Sequence, residues 1–71
     1  MTFKTSEMYR NILKDKDNAF LVDEVLEANS KGVHLSVTWY KKTTDGRYIT
    51  IGVEGEFYIP KSQLSHYVGA L

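Results

Sequence analysis

His34 and His66 are the only histidines in the chain, so a histidine-based acid–base pair or metal centre would have to be built on them. Neither stands in an HxH or HExxH spacing. His34 falls on the outward parity of an alternating stretch and His66 on the last predicted helix, which reads both as surface or half-buried side chains. Asp15, Asp17, Asp23, Glu24 and Glu27 offer hard oxygen ligands, but their spacing is not that of a calcium loop. As acids at helix starts and on wet faces they need no further role. Ser62 and Ser65 have no neighbouring base, and "GVEG" at residues 52–55 is too short and wrongly placed for a phosphate loop. With no cysteine there is neither a disulfide nor a thiolate zinc site. The expectation is a protein that is not an enzyme and uses no metal or cofactor.

Binding chemistry is better represented. Lys41, Lys42, Arg47 and Lys61 gather around a predicted hairpin tip and the start of the last predicted helix. Tyr40, Tyr48 and Tyr58 fall on the outward parity of the adjacent strands. Tyrosine and arginine supply amphipathic contact area at protein interfaces, which makes Tyr40, Tyr48, Tyr58 and Arg47 a candidate protein-binding set. The same tyrosines beside Lys41, Lys42, Arg47 and Lys61 would instead form a stacking and phosphate patch. Nine basic and nine acidic side chains cancel, and that balance disfavours a nucleic acid as the partner.

The leading expectation is therefore a small regulator or inhibitor that binds another protein through an exposed tyrosine-rich sheet face. The alternative is a nucleic-acid binder of winged-helix or OB/S1-like type using the Lys/Arg/Tyr patch. A third reading is a homodimer, paired through an edge strand such as residues 33–39 or through a helix at residues 19–30. Asp23, Glu24 and Glu27 add a negative surface suited to a basic partner.

These side chains need elements to position them. Thr5 or Ser6 can cap a first helix carrying Met8, Tyr9, Ile12 and Leu13. "KDKDN", residues 14–18, then joins two helices or forms the wet face of one long one. In "AFLVDEVLEANSKG" the apolar Ala19, Val22, Val25 and Leu26 recur at helical spacing, and Gly32 suits a C-cap. The alternative for its start is a strand through Ala19–Val22. From Val33 the period changes to two, with Val33, Leu35, Val37 and Trp39 alternating against polar neighbours and Tyr40.

Parity selects the next turn. A two-residue Asp45-Gly46 turn would put the apolar sets of the two strands on opposite faces. A three-residue loop, Thr44-Asp45-Gly46, pairs Thr43 with Arg47, Trp39 with Ile51 and Val37 with Val53, with Gly46 in the left-handed position. Gly52 and Gly55 bracket a bend or bulge. "EFYI" forms a third strand with Phe57 and Ile59 inward, Pro60 ends it, and residues 60–71 form a last helix. The predicted fold is α+β, in the order α-α-β-β-β-α. A three-stranded antiparallel sheet has helices on one face, all within a single domain of residues 1–71.

Two short stretches carry likenesses to known families. "GRYITIGVEGEFYIP", residues 46–60, resembles the C-terminal part of small excisionase-type winged domains, where a wing leads through a strand and a proline to a helix. That resemblance implies a basic recognition helix, whereas residues 19–30 contain Asp23, Glu24 and Glu27 and neither lysine nor arginine. "GVEGEFYIPKSQLSH", Gly52 to His66, is similar to S1-type RNA-binding domains, which implies a five-stranded barrel. Too few residues follow it for the remaining strands of such a barrel. No family residue is carried over from either.

A 71-residue chain buries only about 60% of the surface its unfolded form exposes, so the stability margin is thin. The first ten residues lack a signal-type apolar run, and no 18-residue apolar stretch occurs. The expectation is a cytoplasmic protein without a membrane partner. The opening Met1 and the lack of a tag read as a complete small gene product.

Overall fold

The computed structural model describes residues 3–14 and 16–69. They form five β-strands and one short 3₁₀ helix, with β1 Met8–Asn11, β2 Asn18–Asn29, β3 Gly32–Lys42, β4 Tyr48–Pro60, the 3₁₀ helix Lys61–His66, and β5 Tyr67–Gly69. All pairings are antiparallel and the sheet order is β4-β3-β2-β1-β5. This overturns the α-α-β-β-β-α prediction with its three-stranded sheet covered by helices. It also removes two predicted dimer elements. Residues 19–30 are not a helix, and residues 33–39 lie in a strand paired on both sides rather than at an edge.

The false helix at residues 19–30 has a physical origin. Phe20, Val22, Val25 and Ala28 of β2 pair with Trp39, Val37, Leu35 and Val33, so they share the inner face. Register shifts fall between Val22 and Glu24 and again between Val25 and Glu27. Each bulge adds one residue and lengthens the inward spacing from two to three. Two such steps in succession imitate the spacing of an amphipathic helix. The strand alternative through Ala19–Val22 agrees with the structure.

At the amino end, Tyr9 and Asn11 face inward from β1, while Ile12 and Leu13 are exposed in the turn that follows. The Asn11 Oδ1 accepts from the Leu13 and Lys14 N–H groups at 2.9 and 3.1 Å, an Asx-type turn that ends the strand. The last predicted helix is also shorter than expected. After Pro60 the chain makes only a 3₁₀ segment, and Tyr67–Gly69 then pairs with Tyr9–Asn11 as β5. The part of that prediction at Ala70 and Leu71 lies outside the described residues.

The hairpin from β3 to β4 keeps the parity expected of a three-residue loop. Lys42 pairs with Tyr48 and Tyr40 with Thr50, and the Thr43 N–H donates to the Arg47 carbonyl at 2.6 Å. Gly46 sits at φ 86°. Beyond Thr50 the register shifts, so that Val37 faces Gly55 rather than Val53. The bulge lies at Gly52, whose φ of 73° is left-handed. Gly55, the other predicted bracket, sits in regular pairing. Phe57 packs on the core, Ile59 is fully buried and Tyr58 points out, as their alternation requires.

The core contains Phe20, Val22, Leu35, Val37 and Ile59, closed at the ends by Phe3, Tyr9 and Tyr67. β4 and β5 are the opposite edges of the sheet, about 19 Å apart if it were flat. Yet the rings of Phe57 on β4 and Tyr67 on β5 lie 6.1 Å apart in a T-shaped contact. The bulged sheet has therefore rolled up, leaving a seam between its two edges.

Candidate binding surface

The structure divides the predicted tyrosine set. Tyr40 pairs with Thr50 and Lys42 with Tyr48, so Tyr40 and Tyr48 are diagonal neighbours on the outer face. Tyr58 pairs with His34, six residues farther along β3 and about 20 Å away. Its hydroxyl donates to the Lys31 carbonyl at 3.1 Å. Arg47 stays at the hairpin tip, where its Nε donates to Asp45 Oδ2 at 2.9 Å. The four residues do not form one patch.

The basic set divides as well. Lys61 starts the 3₁₀ helix at the far end of β4, where its N–H donates to the Lys31 carbonyl at 2.9 Å. Lys41 and Lys42 remain near Arg47, and two lysines that sequence reasoning missed join this end. Asn18 pairs with Lys41, and the Lys42 N–H donates to the Asp17 carbonyl at 2.6 Å. The turn carrying Lys14 and Lys16 is thereby held beside the β3 terminus. Only knowledge that β2 pairs with β3 could have placed those lysines there.

Acids occupy a different region. The outer row of β3 runs through His34, Ser36 and Thr38. Glu56 and Glu54 on β4 pair with Ser36 and Thr38, while Glu24 and Glu27 on β2 pair with Ser36 and His34. Thr38 Oγ1 donates to Asp23 Oδ2 at 2.6 Å, and His34 Nε2 lies 3.3 Å from Glu56 Oε1. Among the described residues no group of three His, Asp or Glu side chains is arranged to hold a metal ion. A neutral chain thus separates its charges into an acidic outer face and a lysine-rich end.

The seam itself forms a cavity of about 220 Å³. Phe20, Trp39, Phe57 and Tyr67 line its floor, with Lys14, Asn18 and Gln63 at its polar margin. Phe20, Trp39 and Phe57 form a triangle of edge-to-face rings with centroids 5.5–5.6 Å apart. Such contacts hold the rings rigidly while leaving Trp39 and Phe57 half-buried. Lys41 is two residues beyond Trp39 and shares its face, and Ile49 pairs with Lys41. Ile49 and Ile51 thus continue the apolar surface toward the hairpin tip, 52% and 48% exposed.

A second cavity of about 350 Å³ lies beside β1, lined by Ser6, Glu7, Met8, Leu21 and Gly69. His66 is at the end of the 3₁₀ helix, its carbonyl accepting from the Ile12 N–H at 3.0 Å, and Ser62 and Ser65 are exposed. No family model matches the chain, and neither curated proteins nor solved structures provide a match.

Proposed function

We propose that the chain is a small non-enzymatic, protein-binding regulator whose contact surface is the aromatic seam and its extension over Ile49 and Ile51. One observation carries this reading. Trp39 and Phe57 are half-buried in the seam, and about half-exposed Ile49 pairs with Lys41 on the Trp39 face of β3, with equally exposed Ile51 two residues on. Contiguous exposed apolar surface with a polar rim marks an interaction site. Lys14, Lys16 and Lys41 beside it favour a segment with an aromatic or aliphatic anchor and acidic flanks. This surface takes the place of the tyrosine face expected from the sequence.

Trp39 is the only tryptophan, so its fluorescence reports occupancy of the seam. Peptides with an aromatic anchor flanked by Asp and Glu should shift that emission and saturate. The same peptides flanked by Lys should bind at least tenfold more weakly. Equal affinity for both sets, or no response to either, would reject the reading.

A nucleic-acid reading is favoured by a separate observation, the gathering of Lys14, Lys16, Lys41, Lys42 and Arg47 at the seam's end. A single-stranded oligonucleotide would stack on Trp39 while its phosphates meet the lysines. Its affinity would fall linearly with salt on logarithmic axes. Oligonucleotide binding of that kind, without acidic-peptide binding, would replace the protein-binding reading.

A further inference from the structure

The two edges of the rolled sheet differ in kind. β5 is three residues long and offers little backbone for pairing. β4 is thirteen residues long and has only β3 as a neighbour, which leaves one side of its backbone without a ladder. All eight residues from Ile49 to Glu56 are exposed. A strand covered on one face shows alternate burial, so this stretch is covered on neither. A Cβ added at Gly52 or Gly55 would meet nothing within 4 Å. Ile49, Ile51 and Val53 each leave about half their surface in solvent.

Long apolar edges are normally blunted with lysine, proline or brevity. β4 has no lysine, and its one proline is the terminal Pro60. Its protective features are the bulge at Gly52 and the carboxylates of Glu54 and Glu56, which leave Tyr48–Val53 without a charged side chain.

The charges along this edge point to one occupant. At its start are the cross-strand Lys42 and Arg47, the latter paired with Asp45, which leaves that end net basic, and toward its end are Glu54 and Glu56. An antiparallel pairing of β4 with itself reverses the order, setting the basic start of one strand against the acidic end of the other. The three apolar side chains then meet near the two-fold axis. A parallel neighbour would set like charges together. We infer that β4 is a self-association edge, and that a second copy of this chain pairs with it antiparallel to make one continuous sheet across the dimer.

Molar mass by light scattering, followed from low to high micromolar protein, tests this directly. The wild-type mass should rise to twice that of the chain. Ile51→Lys should leave a monomer, with an unchanged far-ultraviolet circular dichroism spectrum and cooperative urea unfolding as evidence of folding. Arg47→Glu alone, and Glu54→Lys with Glu56→Lys, should each raise the dissociation constant roughly tenfold. Combining all three charge reversals should restore association. A monomer throughout the range, or a dimer insensitive to both Ile51→Lys and the reversals, overturns the inference. Acidic-peptide binding by such a monomer would leave the proposed function standing, so the two failures are distinguishable.

Discussion

The Tyr58 hydroxyl donates to the Lys31 carbonyl at 3.1 Å and closes over Gly32, the first residue of β3. A Cβ at Gly32 would collide with the Ile59 carbonyl oxygen and lie 2.8 Å from that hydroxyl. The tyrosine could swing away, but the carbonyl belongs to the β3–β4 ladder, in which Gly32 pairs with Pro60. Gly32→Ala should therefore destabilise the protein by about 1–3 kcal/mol through overpacking. Tyr58→Phe, which removes only the hydroxyl, should cost about 1 kcal/mol. Urea unfolding of the two variants checks the order. Equal midpoints for Gly32→Ala and wild type would contradict the close approach.

Leu35 and Ile51 are large aliphatic residues on adjacent strands with opposite fates. Leu35 is fully buried, whereas Ile51 is 48% exposed. Leu35→Ala should cost about 2–5 kcal/mol, because the rolled sheet packs against it from both sides. For a chain of this length total stability is about 4–10 kcal/mol, so that variant should lose roughly half of its margin. Ile51→Ser should change stability by no more than about 0.5 kcal/mol while weakening peptide binding at the seam. Loss of stability comparable to that of Leu35→Ala would place Ile51 in the core instead.

Where strands were regular, the sequence was legible. Val33, Leu35 and Val37 alternate without interruption, and β3 is recovered with its faces correct. The hairpin loop followed from parity alone, since only an odd loop keeps Trp39 and the isoleucines on one face. Residues 19–30 failed because two bulges converted a period of two into steps of three. The short β1 and β5, of four and three residues, hold too little pattern to be read locally. They exist because they pair with each other and, through β1, with β2. Of the five strands, β1, β2 and β3 precede Gly52–His66, β4 overlaps it, and only the three-residue β5 follows it. The seam was hidden for the same reason. Phe20, Phe57 and Tyr67 lie on three different strands and converge only when the sheet rolls.

Tyr9 makes an alkaline prediction. Its hydroxyl accepts from the Lys4 N–H at 3.0 Å and donates to Glu7 Oε2 at 3.1 Å. Burial raises its pKa above the ordinary 10.0. The Lys4 N–H pulls it back, and Glu7 pushes it further up through the hydrogen bond and its charge. A raised folded-state value means stabilisation that is complete below the unfolded pKa and is lost as pH climbs through the folded one. Ultraviolet titration should show a tyrosine ionising above its ordinary range, a step absent in Tyr9→Phe. The stability difference between wild type and Tyr9→Phe should shrink in alkali. A constant difference would rule out this hydrogen-bonded neutral phenol.

The hairpin tip makes an acid prediction of opposite sign. Thr43 Oγ1 donates to Asp45 Oδ1, while Arg47 Nε donates to Oδ2 at 2.9 Å. The Thr43 hydroxyl is the main cause of a lowered Asp45 pKa; slight desolvation opposes it, and Arg47 assists through its backbone N–H and its side chain. A depressed folded-state pKa gives stabilisation that is present above the unfolded value and disappears as pH falls through the folded one. Because the carboxylate is exposed, salt screens much of this contribution. A carbon-detected pH titration should find Asp45 below the usual range of aspartates. Thr43→Val should return it toward that range and narrow the wild-type advantage in acid. Should Asp45 titrate ordinarily in both proteins, the hydroxyl is not its partner, and the loop is held by its backbone hydrogen bonds alone.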